Sequence, residues 1–148
     1  MKTKLIGIIG GIGPESTIDY YRLFVSIYRE HRPDGGYPPL LINSIDLARA
    51  LKLVTSGDLA GLAAYLLEEI HRLARAGATH GLLSSNTPHI VFDEIESASP
   101  IPLISIVETA CRGGRRAQAQ ARRAVRNALH HAGRFLPEGV RARGDRGR

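Results

Sequence analysis

The chain has 148 residues with 20 Lys+Arg, 14 Asp+Glu and one cysteine, for a formal net charge of +6. That length is one domain with room for a real core. The single cysteine excludes an internal disulfide framework, and no segment approaches the ~20 apolar residues of a membrane span. The opening MKTKLIGIIGG is too short and too glycine-rich for a signal peptide, so the sequence reads as cytoplasmic. The charge is unevenly spread. Residues 1–111 hold 9 Lys+Arg against 12 Asp+Glu, a net of −3, and residues 112–148 hold 11 Arg against 2 acids, a net of +9. The basicity belongs to the tail, and the body is mildly acidic.

In chain order, the apolar run KLIGIIG (4–10) predicts a strand buried on both faces, as in a parallel sheet. GGIGPEST is a glycine-rich turn. From Glu15 to about Glu30 the apolar residues Ile18, Tyr21, Phe24, Val25 and Tyr28 recur at helical spacing. RPDGGYPP is a loop, and LLINSI (40–45) a second strand. Residues 58–76 form an amphipathic helix that starts near Asp58 and stops at Gly77. HGLLS is a third strand, PHIVFDEIE a helix with proline in its first turn, and PLISIV (102–107) a fourth strand. The order β-α-β-α-β-α-β predicts an open, doubly wound α/β fold: a mainly parallel four-stranded sheet with flanking helices over residues 1–111.

Ligands bind such sheets at the carboxyl ends of the strands. Two polar clusters fall there. GGIGPEST, after the first strand, is neither a full G-x-G-x-x-G fingerprint nor a P-loop. Its glycines let the backbone turn tightly and approach a ligand, and the helix after Pro14 directs free N–H groups and a positive dipole end at an anion. The same residues also fit a plain strand-to-helix turn with Ser16 and Thr17 in the first helical turn. SSNTPH, after the third strand, fits a helix cap, but a cap needs one polar residue and here Ser85, Asn86 and Thr87 stand in a row before Pro88 and His89. Two such clusters at one sheet edge point to a ligand site.

The stretches GIIGGIGPESTIDYYR and NTPHIVFDEI, followed by SPIPLISIVE, resemble the aspartate/glutamate racemase family, the PLP-independent amino-acid racemases, over residues 4 to about 110. The resemblance implies one lobe of a normally two-lobed fold with the active site between the lobes, no cofactor and no metal. It implies two opposed acid/base groups, usually cysteines, on either side of the substrate Cα. The family's first cysteine stands immediately before Asn-Thr, and here that position is Ser85, the candidate catalytic residue. A hydroxyl is a far weaker acid than a thiol, and without a base it is no alkoxide near neutral pH. By motif, Asn86 and Thr87 would hold the substrate carboxylate or amine. Gly11, Gly13, Pro14, Ser16 and Thr17 would contribute to the carboxylate site, and His89 would lie beside it. Arg49 reads either as a partner for a side-chain carboxylate or as a solvated helix arginine. Cys111 reads as a small buried helix residue, since the family's second cysteine belongs to the second lobe. The expected ligand is a small amino acid or dicarboxylate, with no membrane partner and with a homodimer left open.

The tail, residues 112–148, has no Lys, Ile, Ser, Thr or Tyr, and Arg, Ala, Gly and Pro supply 25 of its 37 residues. One reading is a basic arm for nucleic acid, which the net charge of the body and the lack of interleaved aromatics oppose. The other is a lost reading frame. With permitted codons, residues 126–137 (RNALHHAGRFLP), read one base on, give Gly-Thr-Arg-Phe-Thr-Met-Gln-Gly-Ala-Phe-Tyr-Pro, which resembles the stretch opening the family's second lobe. The chain is then a truncated racemase whose tail, helical or disordered, is out of frame. Three functions follow from the sequence: an amino-acid racemase of aspartate/glutamate type that is inactive alone, a non-catalytic module for small carboxylates, and a nucleic-acid binder through the tail. Because the tail is arginine-rich and poor in apolar residues, ordering it gains little burial against its entropy cost. Deleting residues 115–148 is expected to leave the melting temperature of the body unchanged or higher, and a fall of about ten degrees in differential scanning calorimetry would contradict this.

Overall fold

A computed structural model describes residues 4–32 and 34–114. The readings of the tail as out of frame, and as helical or disordered, fall on residues 115–148, outside the described residues. The chain divides between Thr109 and Ala110, and the fold below is that of the first part.

Four strands alternate with helices: β1 (Ile6–Gly10), α1 (Pro14–His31), β2 (Leu40–Ser44), α2 (Leu47–Thr55), α3 (Leu59–Arg75), β3 (His80–Leu83), a 3-10 turn at Thr87–Val91, α4 (Phe92–Ala98) and β4 (Leu103–Ile104). The strands pair in the order β2-β1-β3-β4, all parallel. The chain leaves β1 toward β2 on one side and later returns to β3 on the other. The sheet is therefore doubly wound, as the sequence predicts, with its switch point between β1 and β3. Both polar clusters follow these two adjacent strands.

Period-two alternation sets the two faces. Ile9 and Leu83 join Leu62, Leu66, Ile70 and Leu73 of α3, with Phe92 and Ile95 of α4, in one core. Ile8 and Leu82, paired side by side, point to the opposite face, where α1 lies against β1. Glycine makes the layers close: a Cβ on Gly7 would come within 3.0 Å of Leu73 and Ala78. The α3 face also holds Glu69, a buried carboxylate. It accepts from Asn43 Nδ2 at 2.7 Å and pairs with Arg72 at 3.1 Å, which pins α3 to β2 without leaving an unpaired buried charge.

Four details differ from the sequence reading. The sequence reading places no element at residues 47–55 beyond a helical alternative for Arg49, and the structure has α2 there; Asp46 caps it by accepting from the Ala48 N–H at 2.8 Å. The helix read from Pro88 begins as a 3-10 turn at Thr87. The fourth strand is two residues rather than six, because Ser105 turns the chain into the next helix: its Oγ accepts from the Glu108 N–H and its carbonyl from the Thr109 N–H. In α1, Ile18 and Tyr21 are about half exposed (50% and 46%), and only Phe24, Val25 and Tyr28 of the expected apolar stripe are half-buried. The apolar arc of α1 is wider than the strip of sheet beneath it.

The end of β1 is its tightest point. Gly11 has φ +80°, and a Cβ there would lie 2.6 Å from the Ile45 carbonyl oxygen and 2.7 Å from Ser44 Oγ. The substitution Gly11→Ala meets both a left-handed backbone and rigid main chain, so a loss of at least about 2 kcal/mol is expected in urea unfolding. A loss under about 0.5 kcal/mol would show that the turn is not constrained as described.

Candidate active site

The site is built from the bends after β1 and β3. After β1, Gly11 and Gly13 both take positive φ, which lets the chain turn from the strand into α1 within three residues. Pro14 occupies the first turn of α1, where its missing N–H costs nothing. Gly13 is the N-cap and supplies no side-chain cap. The first-turn N–H groups of Glu15 and Ser16 therefore have no side chain folded over them. Eighteen residues of α1 align behind this end, which favours an anion.

After β3, Asn86 occupies the N-cap position of the 3-10 turn but its side chain makes no cap bond. The reading of SSNTPH as a helix cap thus does not describe what these side chains do. Among the described residues, the side chains of Ser16, Ser85, Asn86 and Thr87 have no hydrogen-bond partner. Ser16, Asn86 and Thr87 are exposed and Ser85 is half-buried. Three consecutive polar side chains are thus left unengaged at the carboxyl end of a buried strand.

His89 braces this bend. Its Nδ1 lies 2.9 Å from the Ser85 carbonyl oxygen, and since a carbonyl only accepts, Nδ1 carries the proton. In the neutral ring Nε2 then bears the lone pair; it is buried and has no partner among the described residues. The ring stacks on Phe92 at 4.9 Å between centroids with an interplanar angle of 1°. His89 thus touches the backbone of Ser85, not its hydroxyl.

Thr17 departs from its expected place among the ligand groups. Its hydroxyl is buried and committed inward, accepting from the Gly11 N–H at 3.1 Å, bonding Ser84 Oγ at 3.0 Å and approaching the Gly13 carbonyl at 3.3 Å. Ser84, which the sequence reading passed over, is the residue it meets. A signal existed: Thr17 lies seven residues before Phe24 and eleven before Tyr28, on the inward arc of α1. Ser84 likewise continues the alternation of Leu82.

At the end of β2, Arg49 stands exposed on α2 with its guanidinium carbon 4.2 Å from the centroid of Tyr65, whose hydroxyl accepts from the Asp46 N–H at 3.1 Å. Arg49 is thus a half-tethered cation at the carboxyl edge, paired with no carboxylate among the described residues. Cys111 is exposed rather than buried. Among the described residues, no group of three or more His, Cys, Asp or Glu is placed to hold a metal, and no helix is long and apolar enough to cross a membrane.

The same architecture occurs in solved proteins. An aspartate racemase homologue from Pyrococcus horikoshii OT3 superposes with a TM-score of 0.64 and 37% identity over 72% of this chain and 46% of its own. A candidate Asp/Glu racemase from Yersinia pestis gives a TM-score of 0.68 and 31% identity over 74% of this chain and 50% of its own. The chain thus spans about half the length of these relatives. The Asp/Glu/hydantoin racemase family model matches residues 9–145, most of the sequence. With both polar bends at the switch point of a matching sheet, the chain belongs to the Asp/Glu/hydantoin racemase family.

Proposed function

We propose that this chain is one lobe of a cofactor-independent amino-acid racemase of aspartate/glutamate type, that its switch-point crevice binds a small amino acid or dicarboxylate, and that alone it does not racemise it. The observation that carries the reading is the set of unengaged polar side chains, Ser16 after β1 and Ser85, Asn86 and Thr87 after β3. Polar groups with no structural employment at this edge of a doubly wound sheet are ligand groups in waiting. The N-terminus of α1, with Gly11, Gly13 and Pro14 shaping the turn, suits a carboxylate. Asn86 offers both donor and acceptor to an α-amino acid, and Thr87 a hydroxyl. Arg49 supplies the charge for a second carboxylate, which favours aspartate or glutamate over neutral amino acids.

Racemisation needs two groups, because the proton must leave one face of Cα and arrive at the other. In this reading Ser85 is the one such group among the described residues. Its hydroxyl is hydrogen-bonded to no base among the described residues, and His89 Nδ1 is spent on the Ser85 carbonyl. Ser85 can donate a hydrogen bond, and a proton to a carbanion-like centre, more readily than it can remove one. That feature favours, as the second reading, a lobe that binds small carboxylates without chemistry.

Two outcomes are expected. Chiral chromatography of L-aspartate and L-glutamate incubated with the protein is expected to show no enzymatic formation of the D-isomers, and turnover near about 1 per second would refute the single-base argument. In an NMR titration, both amino acids are expected to shift amides in residues 11–17 and 85–89, with affinity on the order of millimolar or weaker. The variant Asn86→Ala should bind more weakly still. Shifts confined to the arginine-rich residues 112–148 would instead indicate unspecific anion attraction.

A further inference from the structure

Each bend carries a committed hydroxyl next to an unengaged one: Thr17 beside Ser16, and Ser84 beside Ser85. The committed pair meets across the switch point, 67 residues apart in sequence, with Thr17 9% and Ser84 1% exposed. Neither can touch a ligand in the crevice while so buried, and both are fully used. Thr17 Oγ1 accepts from the Gly11 N–H at 3.1 Å, and Ser84 Oγ lies 3.2 Å from the Ile9 carbonyl.

Two protons serve this network, and two arrangements place them. In one, Ser84 donates to Thr17 and Thr17 donates to the Gly13 carbonyl. In the other, Thr17 donates to Ser84 and Ser84 donates to the Ile9 carbonyl. In both, the Gly11 N–H is satisfied and the two hydroxyls are joined. A valine–alanine pair would fill much the same space without any polar group to satisfy. What the hydroxyls add is direction: they tie the backbone of the first bend, at Gly11, to the end of β3 one residue before Ser85. Gly10 lacks a Cβ at the same place, where one would lie 2.6 Å from Thr17 Cγ2 and 2.8 Å from its Oγ1. The close seat of Thr17 is therefore part of the backbone design.

We propose that Thr17 and Ser84 are a positioning pair, a buried two-hydroxyl strut that fixes the first bend against the end of β3 and so sets the spacing of the ligand groups on either side of the switch point. The identity of the ligand rests on the racemase reading above; the strut does not. It also reassigns Thr17, a ligand candidate by motif, to a role exerted through its neighbours.

The test compares Ser84→Ala, Thr17→Val and Thr17→Ser in the full chain, by amide hydrogen exchange without ligand and by NMR titration with L-aspartate. Ser84→Ala leaves Thr17 its bonds to Gly11 and Gly13, so an effect on the first bend reports the tie between the bends. The expected result is a Gly11 amide exchanging about tenfold faster, measured relative to Ile8 in the core of β1, and an affinity for aspartate several-fold lower. Thr17→Val should do the same or more, and Thr17→Ser, which keeps the hydroxyl, should restore both to near wild type. Normalising to Ile8 separates the strut from stability: a substitution that merely destabilises the fold speeds both amides in parallel, and that outcome overturns the proposal. Unchanged aspartate affinity in Ser84→Ala, in a protein whose wild type binds it, also overturns it. If the exchange ratio changes as expected while aspartate moves neither bend in the wild type, the substrate reading fails and the strut stands. Should Ser84→Ala not fold, the contrast of Thr17→Val with Thr17→Ser decides alone.

Discussion

The end of β1 is the point on which the rest of this lobe depends. It is a central strand, and at its last residues both neighbours close on it: the Ile45 N–H donates to the Gly10 carbonyl at 2.9 Å and the Ser84 N–H to the Ile9 carbonyl at 3.0 Å. On one flank Gly11 leaves no room for a Cβ beside Ser44 and Ile45, and on the other Gly10 leaves none beside Thr17. Glycine at both positions permits three segments to converge on one strand end. Because they converge, the bends after β1 and β3 are neighbours, and the switch point has polar groups on both sides. The topology alone would bring the strands together; the absent side chains bring the bends within hydrogen-bond distance.

Convergence of this kind sorts polar residues by burial. A hydroxyl sealed beneath the bend must find partners or cost about 1–3 kcal/mol, so Thr17 and Ser84 bond each other and the nearby backbone. A hydroxyl or amide on the outer side has water available and needs no partner. Ser16, Ser85, Asn86 and Thr87 can therefore stay unengaged without penalty to the fold. The sequence places both kinds side by side in the same short words, ST and SS, and only the direction in which each points separates a bonded hydroxyl from an unengaged one.

Much of this was legible beforehand. The four apolar runs, the turn at GGIGP and the long helix from Asp58 gave the doubly wound order, because buried parallel strands write themselves as continuous apolar words. In α2, Leu47, Ala50 and Val54 repeat at helical spacing behind the capping Asp46, but nine residues between two longer elements are a short pattern to read. The fourth strand was overextended because the β-branched Ile106 and Val107 suit either state, and the deciding residue was Ser105, whose cap on the next helix ends the strand. For the site, the family motif points to the bends after β1 and β3 but not to Ser84, the inner partner of Thr17. The motif groups Thr17 with the ligand residues, whereas its alignment with Phe24 and Tyr28 places it on the inward arc of α1. Contacts such as Arg49 over Tyr65 and His89 on Phe92 join side chains by tertiary packing, which no local pattern encodes.

The same sorting bears on Ser85, where this chain differs from the family motif. A residue whose side chain takes part in no bond can change without disturbing the fold, and Ser85 is such a residue: its carbonyl is held by His89 and its neighbour Ser84 by Thr17, while its own hydroxyl is spare. The hydrogen bonds that hold the bend therefore put no demand on the side chain at position 85. In the proposed reading a hydroxyl stands where a thiol would serve the chemistry, and the bonds that hold the bend do not involve that side chain. The bond that holds the bend and the hydroxyl assigned to chemistry in the proposed reading thus belong to different residues, one position apart. The edge at the switch point thus keeps its geometry whatever group stands at position 85 or opposite it.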